Sequence, residues 1–299
     1  MSQHDYVIEN QTFPATRTDL NNAFGAIVSQ NSGATAPSTT YAYQLWYDTT
    51  ANKLKQRNAD NDAWIDLFDV DQSADTASPS AGAGGDTLTG IQTFTASGTY
   101  TPTAGTTKVL VQLVGGGGAG GGVDGQGSTT VAVGGGGGGG GCAITLVSSL
   151  GATEVVTIGA GGTGVAGANS GGDGGTTSFG SHAVATGGDG GGGSTAAAPS
   201  NTRMTYGGQA GGGTTGDHVF TGTAGGYGVA GGTSASEVAS GMGGSSFFGG
   251  GERSRQADNN GFDGRNYGGG GSGAAVNNIT TNYAGGDGAD GIVVIYEYE

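Results

Sequence analysis

Three groups of residues in this 299-residue chain have types and spacings that could do chemistry. The first is Gly159-Ala160-Gly161-Gly162-Thr163-Gly164, which follows the strand-like run Val155–Ile158 with the GxGxxG spacing of a dinucleotide-binding turn. That chemistry needs a helix next, so that its first N–H groups meet the pyrophosphate. The following Gly-Val-Ala-Gly-Ala-Asn-Ser-Gly-Gly stretch is no helix former, and in so glycine-rich a chain the spacing recurs by chance. No cofactor is expected. The second group is acidic: Asp60, Asp62 and Asp66, near Asp69 and Asp71. A calcium loop beginning at Asp60 would want glycine in its sixth place and glutamate in its twelfth. Ile65 and Asp71 stand there, so a solvated turn is expected. His4, His182, His218 and Cys142 are scattered, and neither a zinc site nor a hydrolytic triad can be argued from them. No metal is expected, and His182 reads as structural. Paired carboxylates for sugar cleavage would need a rigid groove holding them a few ångströms apart.

The third group is sharper. Tyr206, Phe220, Tyr227, Phe247, Phe248, Phe262 and Tyr267, with Arg253, Arg255 and Arg265, are set among glycine, alanine, serine and threonine. An aromatic with such small neighbours has little to bury it, so it is either exposed or fills a gap between backbones. Exposed aromatics on a firm platform bring large contact area for little rotamer entropy. They would stack on sugar faces or fill pockets of a receptor protein. The arginines would meet phosphates or acidic sugars through paired N–H bonds. The competing reading makes Phe247, Phe248 and Phe262 internal plugs. Alanine at Tyr227, Phe262 or Tyr267 is expected to weaken such contacts without unfolding the protein.

Such residues need elements to hold them, and composition says the chain is two materials. Residues 1–90 contain six of the 71 glycines and residues 91–299 the other 65. In the first part, residues 1–15 read as an extended arm. A helix capped by Thr16 or Thr18 follows, with Leu20, Phe24, Ile27 and Val28 as one apolar stripe and Gly33 as its stop. A single stripe is not stable alone, so these four residues are expected to pack on copies of themselves or on their own domain. Tyr43–Thr49, Lys53–Arg57 and Ala63–Phe68 read as a three-stranded meander, with Trp46 facing away from Leu45 and Tyr47. The expected division is 1–68, a linker at 69–90, and a glycine-rich domain at 91–299 with a variable insertion at about 189–284.

The glycine-rich part contains strand-like runs, among them Lys108–Val114, Thr129–Val133, Cys142–Val147, Glu154–Gly159, Thr176–Gly180 and Gly291–Glu299. Those at its two ends are expected to pair in a β-sandwich-like fold, mainly β overall. The eight glycines Gly134–Gly141 pose a separate problem, because glycine loses the most backbone freedom on folding and brings no side chain to bury. Two readings stand: flexible loops, or polyglycine II helices, threefold extended helices that hydrogen-bond to one another where no Cβ intervenes. The second requires glycine at every inward position. The formal charge of −15 repels nucleic acid and anionic membranes. The lone Cys142 suits a reducing compartment, and MSQHDYVIENQTF lacks the basic start and apolar core of a signal peptide, so synthesis and assembly in a cytoplasm are expected.

Several of these stretches carry a resemblance. TRTDLNNAFGAIVSQNSGATAPSTTYAYQLWYDTTANKLKQRNADNDAWIDL closely resembles the N-terminal module of bacteriophage tail fibre proteins. FTASGTYTPTAGTTKVLVQLVGGGGAGGG, TIGAGGTG, GGTTSFG and GADGIVVIYEYE resemble, in order, landmarks of the glycine-rich domain that ends many such fibres. The likeness covers about residues 15–68, 91–188 and 285–299. It implies a homotrimeric, non-enzymatic virion protein, attached by its N-terminus to a phage tail or baseplate protein. Its C-terminal domain would contact a host surface glycan or outer-membrane protein. The alternatives are a tail-borne polysaccharide hydrolase and a purely structural fibre spacer. Depolymerising tail proteins of this kind place their carboxylates on a long β-helix, whose coil-by-coil repetition this chain lacks.

Overall fold

The computed structural model describes residues 11–80, 87–127, 129–198, 202–231, 237–256 and 258–299. It is mainly β, with a single short N-terminal helix among the described residues and several antiparallel sheets. The chain divides into two compact units between Thr87 and Leu88.

The first unit holds helix α1 (Phe13–Val28) and strands β1 (Leu45–Asp48), β2 (Lys53–Arg57), β3 (Trp64–Asp71) and β4 (Thr76–Pro79). The helix starts before Thr16 and Thr18, because Pro14 occupies its first turn, where a missing N–H costs nothing. Thr18 lies inside it, its hydroxyl donating back to the carbonyl of Pro14 at 3.0 Å. Its end comes at Val28, ahead of Gly33, where Gln30 and Asn31 take left-handed conformations. Ala23 and Ala26 are its buried residues, while Leu20, Phe24, Ile27 and Val28 are exposed on the single chain. Residues 1–10 of the expected arm lie outside the described residues.

The meander has four strands rather than three, in the order β1-β2-β3-β4. β3 continues to Asp71, Asp71 caps the turn through Ser73 and Ala74, and β4 returns along it. So part of 69–90 is sheet and not linker. The small polar residues there hid a strand whose exposed side chains show no apolar alternation. Trp46 is buried, donates its indole N–H to the carbonyl of Gly33 at 3.2 Å, and meets Trp64 edge-on at 5.2 Å. Asp66 and Asp69 of the acidic run face Lys53 at 2.8 and 3.0 Å. The Lys53 hydrogen bond holds the Asp66 carboxyl below its ordinary range.

The second unit begins with β5 (Leu88–Phe94), β6 (Gly98–Tyr100), β7 (Lys108–Val114), β8 (Val131–Val133), β9 (Cys142–Val147), β10 (Glu154–Thr157), β11 (Thr177–Phe179) and β12 (Ala183–Ala185). It continues with β13 (Arg203–Thr205), β14 (Gly213–Thr215), β15 (His218–Phe220), β16 (Gly228–Ala230), β17 (Val238–Ala239), β18 (Ala275–Asn277) and β19 (Ile292–Tyr298). Two five-stranded sheets, β15-β9-β7-β19-β5 and β14-β12-β11-β10-β6, share one core. Alternation supplies that core: Val109, Val111 and Leu113 from β7, and Val293 and Ile295 from β19, meet Tyr100, Val156 and Phe179 of the other sheet. The two terminal strands pair as expected, and β19 lies between β5 and β7. Further along the unit, β13-β16-β17 and β18-β8 enclose smaller apolar clusters around Val131, Val133 and Val238 and around Val123 and Val276.

Between these cores lies glycine backbone. Gly134–Gly141 connects β8 to β9, and its N–H groups point to three neighbours in rotation. Gly134, Gly137 and Gly140 donate to the carbonyls of Ala274, Gly271 and Gly268. Gly135, Gly138 and Gly141 donate to Gly192, Asp189 and Thr186. Gly136 and Gly139 donate to Gly226 and Thr223. Its carbonyls accept, with the same period of three, from residues 115–121, from Gly208 and Gly211, and from Gly241 and Gly244. Six chain segments thus surround one. Gly115–Gly122 behaves likewise, donating in rotation to residues 135–141, 169–175 and 286–289. At each of Gly134–Gly141 an added Cβ would fall within 3.0 Å of neighbouring backbone.

Segments of the expected insertion, about 189–284, take part in this lattice. Residues 208–211, 220–226, 241–244 and 268–274 are the walls around Gly134–Gly141. At the lattice edge, where a neighbouring backbone is missing, side chains replace it. Asp290 and Asp287, three apart, accept from the N–H groups of Gly161 and Gly164 at 2.7 and 2.6 Å. Asn260 and Asp263, also three apart, accept from Ala284 and Asp287 at 3.0 and 2.9 Å.

Candidate functional site

The ten aromatic and arginine candidates do not form one site. The lattice distributes them among three places, with Gly134–Gly141 as the ruler. Phe220 ends β15 opposite Cys142, at the sandwich end. Its ring stacks on Phe247 at 6.0 Å, and Phe247 meets Phe248 edge-on at 5.1 Å. All three are exposed, at 46, 54 and 39%, so neither Phe247 nor Phe248 is an internal plug. Tyr267 is nearby but differs. It is half-buried against Val114, Cys142 and Ile292, in a left-handed conformation, and its carbonyl accepts from the Ser246 hydroxyl at 2.5 Å. It packs the lattice onto the sandwich. Burial there pushes the Cys142 thiol up to about 11.

The second place is the face of β13 and β16. Their register sets Met204 opposite Val229 and Thr205 opposite Gly228, which brings Tyr206 and Tyr227 into step at the end of the ladder. Met204, Tyr206, Tyr227 and Val229 are exposed, as is Met242, whose carbonyl accepts from Gly226. The Tyr206 ring lies on Gly192, where a Cβ would come within 2.9 Å of it. The backbone beneath is fixed by the Gly192 and Gly208 N–H bonds, to Tyr206 and to Gly136 at 3.0 and 2.8 Å. The sequence carries no apolar run that reveals Met204, Val229 and Met242 as members of this face. Only the register joins them.

The third place is a groove lined by Arg253, Ser254, Arg255, Gln256, Asn259 and Phe262. The guanidinium carbons of Arg255 and Arg253 lie 3.3 and 4.7 Å from the Phe262 ring centroid. Arg265 does not join them: it pairs with the buried carboxylate of Glu252, whose contact raises its pKa further.

The four glycines of the GxGxxG segment are engaged. The N–H groups of Gly159, Gly161, Gly162 and Gly164 donate to Thr177 Oγ1, Asp290, Gly117 and Asp287, and irregular chain with a bend at residues 167–168 follows where a nucleotide site needs a helix. His182 sits in a turn, 3.4 Å from Glu154 and against Phe179.

A two-sheet sandwich that holds large side chains on backbone-bonded glycine segments defines a class: a glycine-rich β domain. The glycine-rich domain family model matches residues 92–298, and the chain belongs to that family. No curated protein sequence matches the chain.

Proposed function

We propose that the chain is a subunit of a bacteriophage tail fibre, joined to the virion through its N-terminal unit and adsorbing to a host cell-surface receptor through its glycine-rich domain. The observation that carries this reading is the mounting of exposed tyrosine, phenylalanine and methionine side chains on a glycine-rich backbone lattice. Isolated exposed apolar residues need no explanation, but grouped ones held on a stiff support are what a contact surface requires. The period-three hydrogen bonding and the six-neighbour packing support reading the glycine segments as polyglycine II helices. The unpartnered stripe Leu20, Phe24, Ile27 and Val28 supports a homotrimer, in which a threefold axis covers it. Three copies per fibre then make individually weak contacts effective.

Sedimentation of the full chain is expected at three times the mass of one chain, and Phe24→Asp is expected to shift it toward the monomer. A monomeric wild type would remove the fibre architecture. Labelled protein is expected to bind some members of a panel of whole bacteria. Tyr206→Ala, Tyr227→Ala and Phe247→Ala together are expected to lower that binding about tenfold or more, since anchoring aromatics each contribute over about 1 kcal/mol. Their thermal melting should not move, because none fills a core. Unchanged binding by the triple variant would take these surfaces out of adsorption. Release of oligosaccharide from the bound cells would instead favour the hydrolase.

A further inference from the structure

We propose that the Arg253–Arg255–Phe262 groove binds an anionic group, phosphate or carboxylate, carried on a saccharide. This deepens the adhesive reading above and rests on it. Residues 88–299 carry thirteen acidic and five basic side chains, and three of those five fall between Arg253 and Arg265. The Glu252 carboxylate neutralises Arg265. Among the described residues, neither Arg253 nor Arg255 has a carboxylate partner. Two cations brought to one phenyl ring repel each other. The ring offsets part of that repulsion, and an anion held between them removes the rest.

The geometry favours this use. The Arg255 Nε donates to the carbonyl of Asn260 at 2.7 Å, which orients the guanidinium and leaves its terminal nitrogens for a ligand. The backbone N–H of Arg255 donates to Ser240 Oγ at 2.8 Å, tying the segment to the lattice. Acids close by in sequence are engaged elsewhere: Asp258 accepts from the Asn277 N–H at 2.5 Å and Asp263 from the Asp287 N–H. Glu237 lines an adjoining groove with Gln256 and would repel a ligand that extends toward it. Ser254, Gln256 and Asn259 add neutral hydrogen-bonding groups suited to sugar hydroxyls. The negative surface around this small basic spot disfavours a long polyanion such as nucleic acid and admits a compact charged headgroup.

The test is titration of the full-length protein with inorganic phosphate, methyl glucuronide, neutral methyl glucoside and a short single-stranded DNA. Phosphate or the glucuronide is expected to bind at least tenfold more tightly than the glucoside, and whichever binds better identifies the source of the anion. R253Q/R255Q is expected to lose that binding tenfold or more with unchanged melting. If the pair unfolds the groove, the exposed Arg253 alone as R253Q is expected to lose threefold or more. Equal binding by wild type and these variants, equal binding of the glucoside, or tighter binding of DNA would overturn the proposal. Cell attachment unaffected by R253Q/R255Q would also overturn it, by removing the groove from adhesion. Anion binding by a wild type that attaches to no cell would sink the adhesive reading and leave the groove itself standing.

Discussion

Gly137→Ala is expected to cost about 3 kcal/mol of stability, the upper end of what one added methyl inflicts on a packed interior. The reason is the obstacle. A Cβ there overlaps the carbonyl of Gly118, with the oxygen of Ala119 next to it. A clash with a side chain is relieved by a rotamer change, but backbone moves only by moving its partners. Gly118 O also accepts from Gly271, Gly137 N–H donates to Gly271 O, and Gly137 O accepts from Gly244. Any displacement therefore lengthens several bonds at once. Gly250→Ala is the matched control, because a Cβ there meets nothing within 4 Å. It is expected to change stability by under about 0.5 kcal/mol. Calorimetry of the two variants, with amide exchange across residues 115–141, checks the pair. Equal melting of both would mean that the glycine segments are not closely packed.

Glu297→Ala is expected to destabilise the sandwich by about 2–3 kcal/mol, the cost of leaving a buried donor unpaired. Glu297 is 1% exposed on β19, and its carboxylate accepts four hydrogen bonds. Gln92 Nε2, Tyr100 Oη and the Thr103 N–H donate to Oε1 at 3.1, 2.7 and 2.9 Å, and Thr103 Oγ1 donates to Oε2 at 2.8 Å. Alanine orphans the buried Tyr100 hydroxyl and removes the acceptor of the exposed Thr103 and of Gln92, which keeps its bond to the Thr101 carbonyl. Glu297→Gln is expected to cost only about 1 kcal/mol, since the amide oxygen keeps three of the bonds and the Thr103 hydroxyl can turn to accept from the new NH2. Burial pushes the Glu297 carboxyl up, but these hydrogen bonds outweigh it and hold the group below its ordinary 4.5. As pH falls below about 4.5, the unfolded chain takes up its proton first. This contribution is thus complete above that pH and is lost as pH drops through the lower folded value. Glu297→Gln should be less acid-sensitive than the wild type. Identical acid melting of the two would show that the carboxylate is not the group responsible.

Much of the sandwich was legible, because alternation in Lys108–Val114 and Ile292–Tyr298 writes burial directly into the residue types. β4 was not, since an exposed edge strand of Thr, Ala, Ser and Pro has no buried face to mark. The lattice was half legible. Eight glycines offered close packing as one of two readings, but the walls did not look like walls. Their signal is glycine at i and i+3, as in Gly208/Gly211, Gly222/Gly225 and Gly241/Gly244, where each pair turns a bare edge inward. The residues between them differ from pair to pair, which hides the period. Asp287/Asp290 and Asn260/Asp263 follow the same spacing for the opposite reason, as substitutes for an absent neighbour. The aromatic candidates were found by type. Their division into separate surfaces was not, because it depends on which segments the lattice makes adjacent.

The place of β19 in its sheet has a consequence for synthesis. The strand that joins β5 to β7 comes after every other strand of the unit in chain order. While Ile292–Tyr298 is still being made, β5 and β7 face a gap, Glu297 is missing from its donors, and the core side chains Val293 and Ile295 are absent. The glycine-rich unit therefore closes only after translation has passed Tyr298, through contacts between the far ends of a long segment, which makes for slow folding. A chain broken off before Ile292 would expose its half-built sheet to proteases, so the order of the strands discards copies truncated there.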